Sequence, residues 1–302
     1  FAETDIYITN RLAAKFGARL EHSSMLDKFN FAPRISLAQK LGRESQASLA
    51  YGIFYQNPDK RYLPALSPLN FSKATHYIAQ YQKVTSNQTF RAEAYYKKYE
   101  DLLKTSLVNN REVAASDNGS GYAKGFEIFW RDRKTFKNFD YWISYSYLDT
   151  KRDYLNYPAE IRPSFASAHT INLVVKKFVS RMKTQFNANY VFATGRPYYN
   201  IRYNSSESKF NIYDHGKTIP FNSLSLSVNY LPNVFKNGAG KHTVLVFSVT
   251  NALNSRQVFG YQYSYNGYRK VAMEPPAKTF VFIGAFINFG VDRTQDVINS
   301  NL

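Results

Sequence analysis

Apolar and polar residues alternate with a period of two along most of this chain. Leu12, Ala14, Phe16, Ala18 and Leu20 fall on one side of an extended segment, and Lys15, Gly17, Arg19 and Glu21 on the other. The split recurs with Phe90, Ala92, Ala94 and Tyr96 against Arg91, Glu93 and Lys97. It recurs again with Phe126, Ile128 and Trp130 against Gly125, Glu127, Phe129 and Arg131, and with Leu224, Leu226, Val228 and Tyr230 against Ser225, Ser227 and Asn229. Period two is the repeat of a strand with one apolar and one polar face. Read this way, the chain predicts about thirteen strands. They are residues 1–8, 12–21, 32–41, 47–56, 71–84, 89–104, 122–133, 139–149, 170–178, 184–192, 224–230, 242–251 and 279–289. The last, TFVFIGAFINF, is apolar on both sides and leaves its inward face open: Phe280, Phe282 and Phe286 oppose Val281, Ile283 and Ile287.

No apolar run approaches the about 20 residues of a spanning helix, but these segments have about the length of membrane-crossing strands. The connections alternate short and long. Turns are expected at 9–11, 42–45, 85–88, 180–182 and 236–241, with a two-residue hairpin at Lys137 and Asn138. Longer loops are expected at 57–68, 107–120, 151–168 and 193–220, and a tyrosine-rich excursion at 259–265. Short turns on one side and long loops on the other are the rhythm of an outer-membrane barrel. A soluble sandwich would turn its apolar faces inward and lack this alternation. The fold class expected is therefore all-β, a transmembrane antiparallel β-barrel. The apolar set that includes Phe126, Ile128, Trp130, Tyr141 and Ile143 is expected to face lipid.

Composition sharpens this picture. The 302 residues include 25 Tyr and 24 Phe, and aromatic rings suit the two membrane interfaces. Cysteine is absent, which excludes disulfides, thiol nucleophiles and thiolate metal sites. The five histidines (His22, His76, His169, His215 and His242) are scattered, and no cofactor is expected. Net charge is +17, but the cations sit at polar strand positions and in loops rather than in a stripe, so no nucleic-acid partner is expected. Lipid phosphates of the outer leaflet, or an anionic substrate, are the anions such cations could meet. There is no Gly-x-Ser-x-Gly motif, and paired carboxylates are limited to loop acids such as Asp149 and Asp153, so an enzyme is not expected.

Strand parity carries the reading further. The first strand runs down into a short turn, and the last follows a long loop and also runs down. Their number is odd, whereas bacterial single-chain barrels have even numbers. Segments 1–8 and 279–289 are thus not expected to find complete pairing within this chain, and earlier strands are expected outside it.

The end of the chain carries a family resemblance. Val249-Thr250-Asn251-Ala252-Leu253-Asn254, Tyr261-Gln262-Tyr263 with Pro275-Pro276, and Asn30-Phe31-Ala32-Pro33-Arg34-Ile35 resemble segments of TonB-dependent outer-membrane receptors, particularly those of Bacteroidota. Gly284, Ile287 and Phe289 resemble the terminal assembly signal of outer-membrane barrels. The resemblance implies a 22-stranded barrel, of which residues 1–289 are the C-terminal wall, with the plug domain outside this chain; 290–302 is expected as a periplasmic polar tail. It implies a bacterial outer-membrane transporter importing a siderophore, haem, cobalamin, glycan or peptide. Implied partners are outer-membrane lipid and lipopolysaccharide, the plug, the energy-coupling TonB protein and a surface lipoprotein. Tyr198, Tyr199, Arg202, Tyr261 and Tyr263 are the candidate substrate-binding residues, with girdle or loop packing as their competing role. A barrel-anchored adhesive protein and a passive porin are the alternative functions.

Overall fold

The computed structural model describes residues 1–62, 65–66, 68–235, 241–264, 267 and 269–289. The strands are β1 (Ala2–Tyr7), β2 (Leu12–Ser23), β3 (Lys28–Lys40), β4 (Ser45–Gln56), β5 (Ser72–Val84), β6 (Gln88–Val108), β7 (Arg111–Asp132), β8 (Phe139–Asp153), β9 (His169–Val179) and β10 (Thr184–Ala193). They continue with β11 (Pro197–Asn204), β12 (Lys209–Lys217), β13 (Phe221–Tyr230), β14 (Lys241–Thr250), β15 (Gly260–Tyr263), β16 (Lys270–Met273) and β17 (Phe280–Phe289). Thirteen of them form one antiparallel sheet in chain order, β1 to β10 and then β13, β14 and β17. The other four make two separate ribbons, β11–β12 and β15–β16. Among the described residues β1 pairs only with β2, and β17 only with β14, so the sheet is an open wall with two unpaired edges, as strand parity predicts.

The register assigns the faces. Phe126 lies opposite Tyr147, Ile128 opposite Tyr145, and Trp130 opposite Ile143, with Tyr141 on the same side. This face continues through Ala94, Ala79, Leu49 and Leu37 toward β2, and through Leu173, Tyr190 and Leu224 toward β13. It is the apolar face, which a bilayer requires outward. The other face is polar. There Arg131 forms a bidentate pair with Asp140, at 2.8 and 2.5 Å, and Trp142 lies between the cations of Arg131 and Lys176, 5.4 and 5.1 Å from the ring centre. The register also settles β17: Val281, Ile283 and Ile287 belong to the lipid face, and Phe282, Gly284 and Phe286 to the inner one.

Several boundaries differ from the sequence reading. The segment 107–120, expected as a polar loop, is the end of a long ribbon: β6 and β7 continue past the membrane band to a tight turn at Asn109 and Asn110, with φ of 49° and 60°. Two successive left-handed residues suit a two-residue hairpin, and asparagine tolerates that conformation. A ribbon with water on both sides carries no apolar stripe, so periodicity did not reveal it. The hairpin expected at Lys137 and Asn138 is instead a wider turn. Asp132 holds it, accepting from the backbone N–H of Lys134 and Thr135 and from the Thr135 hydroxyl. β3 starts at Lys28, earlier than expected. Its Pro33 pairs toward β2, while the ladder to β4 begins only at Arg34. Proline has no N–H to give, so the missing donor falls where the second ladder stops.

The hydrophobic cluster of buried residues lies outside the wall. Leu69, Leu103 and Ala114 pack with Leu26, Tyr62, Ala65 and Leu155 at the base of the β6–β7 ribbon. The expected tail 290–302 and most of the turn 236–241 lie outside the described residues.

Candidate site at the outer mouth

The two ribbons β11–β12 and β15–β16 rise from the outer ends of β10, β13, β14 and β17, and they meet around one lysine. Lys270 places its ammonium 3.8 Å from the ring centre of Tyr198, 4.5 Å from that of Tyr261 and 6.0 Å from that of Tyr263. Its Nζ also hydrogen-bonds the Tyr198 hydroxyl and donates to Asp214 at 3.1 Å. The Tyr263 hydroxyl donates to the same carboxylate at 2.6 Å, and the Tyr198 and Tyr261 rings meet edge to face at 4.5 Å. Strand alternation explains the convergence: Tyr261 and Tyr263 are two residues apart on β15, while Tyr198 on β11 lies opposite Gly216. A Cβ at Gly216 would stand 2.6 Å from the Tyr198 hydroxyl, so only glycine lets that ring lie across the ribbon.

The electrostatics are self-consistent. Hydrogen bonds from Tyr263 and Lys270 hold the Asp214 carboxyl below its ordinary value. Burial, followed by the bond to Asp214, pushes the Tyr263 phenol up to about 12. Burial works against the charge on Lys270, but the bonds to Tyr198 and Asp214 outweigh it and keep the ammonium protonated well into alkali. The arrangement is a filled aromatic cage: a cation already occupies the ring faces that a cationic ligand would need.

Three of the five candidate residues, Tyr198, Tyr261 and Tyr263, are thus brought together, and two are not. Tyr199 points from the other side of β11 to Tyr157, with ring centres 6.2 Å apart. Arg202 lies over Tyr213 at 4.7 Å and against Gly267, whose φ of +76° is a second reason for glycine there. Sequence reasoning missed Lys270 and Asp214. The available signal was slight: Lys270 is one of three lysines on these ribbons, with Lys209 and Lys217, and Asp214 is the acid of β12.

A second cluster lies on the inner side of the mouth. Arg152 stacks on Tyr99 at 4.4 Å, Phe165 at 5.5 Å and Tyr154 at 5.7 Å. Tyr154 meets Tyr157 edge to face at 4.8 Å, and burial foremost pushes its phenol up to about 12. Register puts Arg152 opposite Gly121, on the polar face of β7 and β8. Its Nε is buried and has no hydrogen-bond partner among the described residues. Loop 151–168 was expected only as a connection, so these residues were not candidates.

The motif at the end of β14 has a structural role. Asn251 is buried with φ of 52°, and its side-chain amide donates to the carbonyls of Ser255 and Lys278 at 2.8 and 2.9 Å. It ties the exit of β14 to the approach of β17. In β17, a Cβ at Gly284 would stand 2.6 Å from the Phe282 ring, Ile287 is on the lipid face, and Phe289 ends the strand opposite Lys241.

No protein-family model and no curated protein matches the chain. Solved structures do match. The ferric yersiniabactin uptake receptor FyuA from Yersinia pestis aligns over 96% of this chain and 45% of its own, at 13% identity and a TM-score of 0.70. The ferripyoverdine receptor of the outer membrane of Pseudomonas aeruginosa aligns over 94% and 37%, at 10% identity and 0.69. The outer-membrane transporter YddB from Escherichia coli aligns over 92% and 43%, at 14% identity and 0.68. The chain spans less than half the length of each of these structures. A thirteen-stranded antiparallel wall with an apolar outer face and ribbons at one end, aligned nearly throughout with these receptors, has the fold of part of a TonB-dependent receptor barrel of the bacterial outer membrane.

Proposed function

We propose that the chain is the C-terminal barrel wall of a TonB-dependent transporter that takes a bulky, scarce solute from outside the cell. The observation that carries this reading is the outer mouth: two aromatic-cation clusters, around Arg152 and Lys270, stand above a wall with the receptor fold. Two solved neighbours are a ferric yersiniabactin uptake receptor and a ferripyoverdine receptor. A ferric chelate with anionic and aromatic groups suits Arg152, whose cation lies against three rings and forms no ion pair among the described residues. Haem, cobalamin, a glycan or a peptide are the other members of the class. The plug, the TonB contact and any surface lipoprotein belong to this proposal and not to the residues described.

The test is uptake in cells lacking the full-length gene. Complementation should restore energy-dependent accumulation of one labelled solute of this class, and Arg152→Gln should weaken its binding to the full-length protein about tenfold, the loss of one charge-assisted contact. Accumulation that ignores loss of the energy-coupling system would establish a passive pore. Surface binding to other cells without any solute uptake would establish an adhesin.

A further inference from the structure

The inner face of the wall carries a group of residues that the two mouth clusters leave unexplained. One rung below Arg152, a cross-strand ladder runs from Arg34 through Gly52 and His76 to Lys97 and Ala123. Gly121, two residues above Ala123, lies opposite Arg152, which fixes both the level and the face. Phe54, two residues above Gly52, folds back over it: a Cβ at Gly52 would stand 3.1 Å from the Phe54 ring and 3.4 Å from Cγ of Arg34. The ring is thereby held between Arg34, whose guanidinium carbon lies 4.6 Å from its centre, and His76, at 4.5 Å between ring centres. Lys97, beyond His76, lies 5.0 Å from the ring centre of Tyr95. Small residues floor the space beside this stack. Gly17, Ser36, Ala50 and Gly52 line a hollow of about 200 Å³ walled by Arg34, Phe54 and His76. Whole small-molecule sites take roughly 300–1,000 Å³, so this hollow suits one polar group of a larger molecule.

The cations of this region are of two kinds. Lys15 is held by Glu3 at 2.9 Å and Asp5 at 3.8 Å, and Arg19 by Glu21 at 2.8 Å. Arg34 and Lys97 lie against rings, and among the described residues they form no ion pair and donate no hydrogen bond. The next acids on this face are Glu93 and Glu127, opposite each other and level with the fourth residue below Lys97. That is roughly 13 Å along the strand. Tyr95 stands between them and Lys97, and Arg91 occupies the rung beneath. Asp101 and Asp117 lie above, at the base of the β6–β7 ribbon, where Asp117 accepts from the Asn70 N–H at 2.6 Å. A ring face attracts a guanidinium but satisfies none of the donors in its plane. What Arg34 and Lys97 lack is therefore an oxygen acceptor with negative charge.

We infer that Arg34 and Lys97, with His76 between them, form an oxyanion site inside the barrel. It takes a carboxylate or phosphate of the solute below Arg152. The stacked guanidinium presents its fork to two oxygens, the ammonium supplies a second charge, and the hollow receives the group. The inference rests on the transporter reading for its solute and narrows that solute's chemistry. A ferric chelate, haem or peptide qualifies when it carries a free carboxylate or phosphate; a neutral glycan does not.

Arginine modification by phenylglyoxal tests the site on the purified full-length protein, with citrate as the probe and peptide mass spectrometry reading Arg34. Citrate at about ten times its half-protecting concentration should slow modification of Arg34 about tenfold. Arg43, on the turn at the opposite end of the wall, should keep its rate. Lys97→Gln should raise the half-protecting concentration about tenfold, the loss of one charge-assisted contact, and Lys97→Arg should restore it. An unfolding midpoint equal to wild type shows that a variant is folded. A variant that fails this is replaced by Ala50→Glu, which sets a carboxylate in the hollow and should slow modification of Arg34 about tenfold without citrate. No protection by citrate would overturn the site. So would equal slowing by sodium chloride at the same ionic strength, which would mean screening alone. An Arg34 that is unreactive before citrate is added would mean that a carboxylate of the plug fills the site, and would overturn its role toward a solute. The measurement involves no uptake. Protection in a protein that proves a passive pore would keep the site and remove the transporter, whereas energy-dependent uptake without protection would remove the site alone.

Discussion

The face assignment stands or falls on Ile128. It sits on β7 between Phe126 and Trp130, is 39% exposed, and lies four residues from Lys124 on one side and Asp132 on the other. At 3.3 Å per residue each polar neighbour is roughly 13 Å away along the strand. On a strand tilted about 40° that is roughly 10 Å of depth each way, which puts Ile128 near the bilayer midplane. Arginine at the midplane of a barrel's lipid face costs about 2–4 kcal/mol, and near an interface about 0–1 kcal/mol. Val179, on the same face at the inner end of β9, supplies the interfacial comparison. Ile128→Arg should therefore cost about 2 kcal/mol more than Val179→Arg. Urea unfolding of the full-length protein in phospholipid vesicles, followed by tryptophan fluorescence, measures the difference. A cost for Ile128→Arg no greater than that for Val179→Arg would mean that this face meets water, and the inside-outside assignment of every strand would reverse.

Two further outcomes concern the outer ribbons. The lowered Asp214 value makes its contribution full above 3.8 and lost as pH falls below it, whereas the raised Tyr263 value makes its contribution full below 10.0 and lost as pH rises toward about 12. Protection of the β15–β16 amides from hydrogen exchange should accordingly be flat between those limits and fall on either side; Lys270→Ala should speed exchange roughly tenfold within the plateau, from the lost cation–π contacts, and unchanged protection would show that the ribbons are held elsewhere. At the tip of the β6–β7 ribbon, Asn110→Val places a branched side chain at φ of 60°, at a cost of about 1–2 kcal/mol. Protease nicking between residues 109 and 110 should increase while the wall stays intact, and equal nicking would contradict the turn.

The wall was legible in the sequence because the bilayer imposes a strict rule, apolar outward at every second residue. Leu12 to Leu20 and Phe126 to Trp130 show it without help from any neighbour. Thirteen strands and their order follow from it. Where water bathes both faces the rule lapses, which hid the ribbon beyond Lys104, the pairing of β11 with β12 and the wide turn at Asp132. The site was half legible for a related reason. Tyrosine enrichment pointed to Tyr198, Tyr261 and Tyr263, but the partner that organises them, Lys270, is distant in sequence and looks like any loop lysine. Arg152 was hidden because its three rings come from β6 and from the segment after β8.

The cluster of Leu69, Leu103 and Ala114 divides the molecule between two solvents. In the wall, lipid surrounds apolar side chains whether or not they pack, so backbone hydrogen bonds, which have no water to replace them, hold the strands. Above the membrane the base of the β6–β7 ribbon is held by burial of apolar surface from water, a force that weakens on cooling. The two parts therefore answer differently to temperature. Cooling weakens the force that holds this base, while the backbone hydrogen bonds that hold the wall do not depend on that force.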